Sequence, residues 1–164
     1  MASNPKTSFL VRLDVVEQRL HEHAANEAYE GVTDPHPVTG EQWDVGQLWA
    51  HLAEVLPYWI GQVRMVVAAP PGEPVPFGRV ATDAERLAAI DDGRHEPVGE
   101  QMGRVGAEIA ALRDLLVTLP DEAWAPRGVH EIRGEMTVEE IVDDFMIAHL
   151  ETHAAQLDAL AART

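Results

Sequence analysis

Apolar residues recur at helical spacing in four long stretches, and Pro/Gly-rich breaks separate them. Phe9, Leu13, Val16, Leu20, Ala24 and Glu27 follow the first stripe, which predicts a helix from Ser8 to Tyr29. A break carrying Pro35 and Pro37 follows, from Gly31 to Gly40. The second stretch has a start signal. In Trp43-Asp44-Val45-Gly46-Gln47-Leu48, Asp44 stands at the N-cap and Gln47 at N3, so each side chain can satisfy the other's backbone amide. Trp43 can staple onto Leu48. The stripe continues through Leu52, Val55, Leu56, Trp59, Val63 and Val66 and stops before Pro70-Pro71-Gly72. Pro57 removes the donor for the Ala53 carbonyl, which predicts a kink near that turn.

Residues 72–81 read as a loop. Thr82-Asp83-Ala84-Glu85 reads as a capping box that opens a short helix ending near Gly93. Pro97 suits the first turn of the next helix, which carries Val98, Met102, Val105, Ile109, Leu112, Leu116 and Leu119 before Pro120. The last helix repeats the start grammar, with Thr137 at the N-cap and Glu140 at N3. It is expected to run to about Ala162 with the stripe Val138, Ile141, Phe145, Ala148, Thr152 and Ala155. No period-2 run is long enough to predict a strand, and no internal repeat occurs. The expectation is an all-α fold: a four-helix bundle with short accessory helices, one domain over residues 1–164. The connection from Gly31 to Asp44 can cross the end of a bundle, so a plain up-down-up-down order is not required.

Composition narrows the chemistry. The chain has 28 acidic against 12 basic residues, a formal charge of −16, which argues against nucleic-acid partners and an anionic membrane surface. It has no cysteine, so disulfides, thiolate ligands and a protein-borne sulfur nucleophile are excluded, and any thiol chemistry must borrow its thiol. Neither a secretory h-region nor a run of 18 apolar residues is present, and a cytoplasmic location is expected. Lys6 stands alone against the arginines, a bias that suggests a high-GC source.

Eight histidines are many for this length, and three stand out. His51 lies inside the apolar run Leu48–Ala53. His149 and His153 are one helical turn apart and share a face. Such a pair is how a helix presents two imidazoles to one metal, but the spacing also arises by chance in a histidine-rich chain. A third histidine on another capped helix strengthens the metal reading, because buried imidazoles need partners. Three neutral imidazoles would leave a coordination position open for water or substrate. Zinc and nickel both suit such a set, and iron and manganese stay open. His21 and His23 point to different faces and read as solvated or packed, while His36 and His95 read as surface. His130 is a candidate substrate contact. Glu54, Asp143 and Asp144 could orient a ligand or act as base, against a plainer reading as solvated acids. Gln47 and Tyr58 are candidate pocket lining, and Trp49 and Trp59 read as core.

The run Trp43-Asp44-Val45-Gly46-Gln47-Leu48-Trp49-Ala50-His51-Leu52 resembles the helix that opens the metal site of the DinB/YfiT-like superfamily. His149-Leu150-Glu151-Thr152-His153-Ala154-Ala155-Gln156-Leu157 resembles its closing H-x-x-x-H-x-x-Q-[LI]. Gly128-Val129-His130 and Gly134-Glu135-Met136-Thr137 look like that family's loop into the last helix. The resemblance implies a four-helix bundle with crossed connectivity, often homodimeric, and a divalent metal held by His51, His149 and His153. Characterised relatives use thiols such as bacillithiol, mycothiol or glutathione in S-transfer or isomerisation. Mycothiol-dependent maleylpyruvate isomerases typically have Glu where His149 stands here, and they carry a further C-terminal domain, so that particular activity is not expected. The expected function is a metal-dependent S-transferase or isomerase joining a small thiol, mycothiol-like by the arginine bias, to a small electrophile. The alternatives are a metal-dependent hydrolase, with Glu54 or a nearby Asp as base, and a non-enzymatic metal- or ligand-binding module.

Overall fold

The structure, a computed structural model, describes residues 4–26 and 29–164. Glu27, counted in the first helical stripe, lies outside them. Helix α1 spans Lys6–Ala24 and buries Phe9, Leu13, Val16 and Leu20, as the spacing requires. It ends short of Tyr29, whose hydroxyl instead meets His23 Nδ1 at 2.7 Å. Helix α2 spans Val45–Ala68 and starts with the expected capping box between Asp44 and Gln47. It runs unbroken through Pro57, which sits on the exposed side of the helix. Gly46, in the first turn, lies so close to the Arg94 carbonyl that an added Cβ would stand 2.0 Å from that oxygen. No larger residue fits where α2 starts.

Helix α3 spans Ala84–Gly93. Asp83 rather than Thr82 takes its N-cap, and the carboxylate accepts from the Arg86 amide. Helix α4 spans Val98–Thr118, with Pro97 at the N-cap, just outside the first turn. The last rod is α5 (Val138–Val142), a π-helical turn (Asp143–Ile147) and α6 (Ala148–Arg163) in direct succession. Thr137 and Glu140 form its capping box, as expected.

The π turn corrects the stripe read from the last helix. An extra residue in one turn rotates everything after it by about 100° relative to a regular α-helix. Thr152 and Ala155 are therefore exposed, and Leu150, His153, Ala154, Leu157 and Leu160 face the core.

The helices pack in crossed order. Helices α1 and α2 each pack against both α4 and the last rod, so they stand diagonally across the bundle. Helix α3 packs on α2. The α1–α2 connection must therefore cross one end of the bundle, and so must the segment from α4 to α5. That second segment forms most of a small sheet the sequence reading did not predict. Strand β1 (Val75–Phe77) pairs in parallel with β2 (Arg127–His130), and β2 pairs antiparallel with β3 (Gly134–Thr137). Each strand is three or four residues long, too short to register as alternation, and β1 carries Pro76 at the sheet edge. No helix among the described residues is long and apolar enough to cross a membrane.

Candidate metal centre

His51 stands on α2, His149 and His153 on α6. Their ligand atoms lie within 4.8 Å of one another, although His51 and His149 are 98 positions apart in the chain. His51 and His153 are buried, at 2% and 5% exposure. His149 is half-buried and reached from an adjoining cavity.

Two neighbours set the rings. His51 Nδ1–H donates to Glu54 Oε1 at 2.7 Å, and His153 Nδ1–H donates to Gln156 Oε1 at 2.6 Å. Both acceptors sit three residues on, one helical turn away, where the side chains meet. With their protons on Nδ1, the two rings turn bare Nε2 lone pairs inward. His149 Nε2 lies 2.8 Å from His51 Nε2 and 2.9 Å from His153 Nε2. A single proton on His149 Nε2 can serve only one of these contacts, and the other sets lone pair against lone pair.

Protonating the rings offers no escape. Burial, then the charges of His153, Arg86 and Arg79, hold His51 well below the ordinary histidine value. Burial does the same to His149, and it lowers His153 to about 4. Three neutral imidazoles with converging lone pairs and one face open to a cavity are the donor set of a divalent transition metal. The residues present fit such an ion.

The structure gives the other candidates different places. Glu54 sits behind His51, away from the cavity. Its second oxygen accepts from Arg79 Nη2 at 2.5 Å, so both oxygens are engaged and it orients His51. Burial pushes its carboxyl above the usual range, and the Arg79 bond opposes that shift. His130 is buried at 4% exposure and does not line the cavity. Its Nδ1 accepts from the Ile132 and Arg133 amides, and its Nε2–H donates to the Arg79 carbonyl at 3.1 Å. It pins the β2–β3 turn to the segment after β1. The Gln47 side-chain oxygen accepts from the Asp44 amide in the cap of α2. Tyr58 lies under the Arg79 guanidinium, 4.0 Å from ring centroid to Cζ. Neither Gln47 nor Tyr58 lines the cavity. Asp143 pairs with Arg12 on the outside of the last rod.

The cavity next to the histidines has a volume of about 310 Å³. The crossing α1–α2 connection forms one wall, through Thr33, His36, Thr39, Glu41 and Trp43. That connection is closed on itself: the Thr33 amide donates to the Trp43 carbonyl and the His36 amide to the Glu41 carbonyl. Trp43 packs over His51 and His153, with ring centroids 4.8 and 5.8 Å away. Trp59, read from sequence as core, is buried but also reaches the cavity, stacked on Phe145 at 4.1 Å. The π turn supplies Asp144 and Phe145, the segment after β1 supplies Arg79, and the β2–β3 turn supplies Arg133. Arg86 comes from α3. Sequence reading had no signal for these three arginines, since they come from three separate segments and belong to no motif along the chain.

Similarity to known proteins accords with this architecture. YfiT from Bacillus subtilis, described as a probable metal-dependent hydrolase with an unusual four-helix bundle topology, is similar with a TM-score of 0.76 and 18% identity. The alignment covers 99% of this chain and 89% of that one. A mycothiol-dependent maleylpyruvate isomerase, solved as a histidine-to-alanine mutant, is similar with a TM-score of 0.65 and 13% identity over 96% of this chain and 63% of its own. The colibactin self-resistance protein ClbS, in complex with double-stranded DNA, is similar with a TM-score of 0.63 and 11% identity over 99% of this chain and 98% of its own. At these identities the likeness shows the fold. No protein of curated function matches the sequence. The family model of the DinB superfamily matches residues 12–157, and the chain belongs to that superfamily.

Proposed function

We propose that the protein is a divalent-metal-dependent enzyme that uses a low-molecular-weight thiol on a small electrophile, either joining the sulfur to it by S-transfer or isomerising it by thiol addition followed by release of the same thiol. The observation that carries the metal half is the convergence of three Nε2 atoms, two of them on rings whose Nδ1 partners are already fixed. When bound, such an ion acts as a Lewis acid and lowers the pKa of a thiol or water molecule it takes up. The absence of cysteine supports a nucleophile brought from outside, and zinc or nickel suits the three imidazoles.

The chain's own residues have separate tasks. His51, His149 and His153 hold the ion. Glu54 and Gln156 keep the Nδ1 protons outward, so the lone pairs stay available. Trp43, Trp59 and Phe145 line the cavity with aromatic surface and exclude water from beside the histidines. A hydrolase would use the same histidines, but of the bases the sequence offered for it Glu54 has both oxygens engaged and faces away, Asp143 is paired with Arg12 outside the rod, and Asp144, which lines the cavity, is held by Arg133. The thiol reading is preferred on that ground.

The test is metal analysis of the wild type beside His51→Ala and His149→Ala, with calorimetric titration of mycothiol and glutathione. The expected result is about one metal per chain in the wild type, loss in both variants, and thiol binding by the loaded form alone. A wild type that refuses metal on reconstitution would overturn the metal reading. Turnover of an ester or amide with no thiol present would move the assignment to hydrolysis.

A further inference from the structure

Arg86 is placed as substrate-binding residues are placed, and its charge is only half met. The residue is 8% exposed and lines the cavity beside the histidines. Its Nη1 donates to the Ala81 carbonyl at 2.6 Å, and the nearest carboxylate contact, Glu41 Oε1, is a long 3.4 Å. Nε and Nη2 meet no acceptor among the described residues. They carry three N–H groups on a cation almost wholly removed from bulk water. Neither atom is sealed from solvent, so both donors stay available at the cavity for a ligand. The guanidinium is held in place: its Cζ stands 5.2 Å from the Trp43 ring centroid, and the Arg86 amide is tied to the Asp83 cap. Its neighbours are already matched. Arg79 is paired with Glu54, Arg133 with Asp144, and Glu41 also accepts from Thr39 Oγ1. Beside these charges the cavity carries an aromatic and aliphatic patch of Trp43, Val55, Trp59 and Phe145, next to polar Thr33, His36, Thr39 and Gln156.

We infer that the substrate of the proposed reaction carries a carboxylate on a small, flat apolar body, and that Arg86 anchors that carboxylate through its free Nε and Nη2 donors. The guanidinium fork matches a planar carboxylate with two parallel hydrogen bonds. The cavity volume of about 310 Å³ suits a body of roughly aromatic-acid size. A phosphate ester fits less well. No lysine lines the cavity, and the start of α3 is closed by Asp83. This inference rests on the proposed reading for the place of the reaction, but the anchoring itself needs no ion.

The test uses benzoate, benzamide and phenyl phosphate as probes, titrated by calorimetry into metal-stripped and zinc-loaded protein. Wild type, Arg86→Gln and Arg86→Lys are compared. Benzoate should bind wild type in both forms more tightly than benzamide does. Arg86→Gln should weaken benzoate by about 10- to 100-fold and leave benzamide unchanged, with zinc stoichiometry retained. Arg86→Lys should recover only part of the loss, since it keeps the charge and loses the fork. Equal binding of benzoate and benzamide by wild type would overturn the inference, whatever the variants do. So would benzoate affinity that Arg86→Gln leaves unchanged, or phenyl phosphate binding tighter than benzoate. A wild type that takes up no zinc yet binds benzoate through Arg86 would support the anchor and overturn the metal reading alone.

Discussion

At the scale of single residues, the site is a matter of where protons are held. Glu54 and Gln156 fix the tautomers of His51 and His153 by accepting from Nδ1–H, and so aim two lone pairs at one point. Glu54→Gln keeps an acceptor but drops the charge and disturbs the pairing with Arg79. It should weaken zinc affinity by roughly 10- to 100-fold, measured by competition with a chelator. An unchanged affinity would mean that Glu54 does not tune the ligand. The depressed histidines also set a pH dependence. In the unfolded chain they take up protons near pH 6.5, whereas folded His153 does so only near 4. Between these values the unfolded state binds more protons, so stability is full above pH 6.5 and falls as pH drops toward 4. For His153 alone the loss amounts to roughly 3 kcal/mol. Urea unfolding of the metal-stripped protein from pH 7.5 to 4.5 should show the midpoint falling in that window. A flat profile would contradict the burial argument.

At the scale of elements, the π turn matters most for the site. It steps the core stripe by one residue and places Asp144 and Phe145 on the cavity wall. Arg12 of α1 spans this turn, with Nη1 on Asp143 at 2.8 Å and Nε and Nη2 on Glu151 at 2.9 and 2.7 Å. One guanidinium thus ties the start of the π turn to the helix that carries the histidine pair. The groups are partly exposed, so Arg12→Ala should cost only about 1 kcal/mol of stability. Its effect on metal should exceed that cost, because Asp143 and Glu151 flank His149 along the rod. Parallel urea titration and metal retention would separate the two effects. Retention indistinguishable from wild type would reduce Arg12 to a surface tie. The start signals of α2 and of the last rod were legible at this scale, since the capping bonds of Asp44 with Gln47 and of Thr137 with Glu140 span only three residues, whereas the cap of α3 falls on Asp83, one residue past the Thr82 the sequence suggested. The strands were not, because the parallel pairing of Val75 with Gly128 joins segments far apart in the chain.

At the scale of the molecule, crossed connectivity and charge dominate. Because α1 and α2 stand on a diagonal, their connection has to cross the bundle end, and it does so over the histidines. A plain up-down order would have no such wall. The net charge of −16 leaves the molecule strongly acidic, while three arginines gather at the cavity. We expect no complex with a duplex of about 20 base pairs at ~10 μM protein and physiological salt, by gel shift, because phosphate binding depends on a basic face. A salt-sensitive complex would overturn that expectation. The histidines, the caps and most of the core stripes could be read along the chain, because helical period and capping chemistry act over one or two turns. Other features came from the fold: the turn that steps the last stripe, the pairing of Glu54 with Arg79, the post of His130 against the segment after β1, and the gathering of Arg79, Arg86 and Arg133 around one cavity. Each depends on which distant segment supplies a partner, and burial and hydrogen bonding across the bundle choose that partner with no local trace.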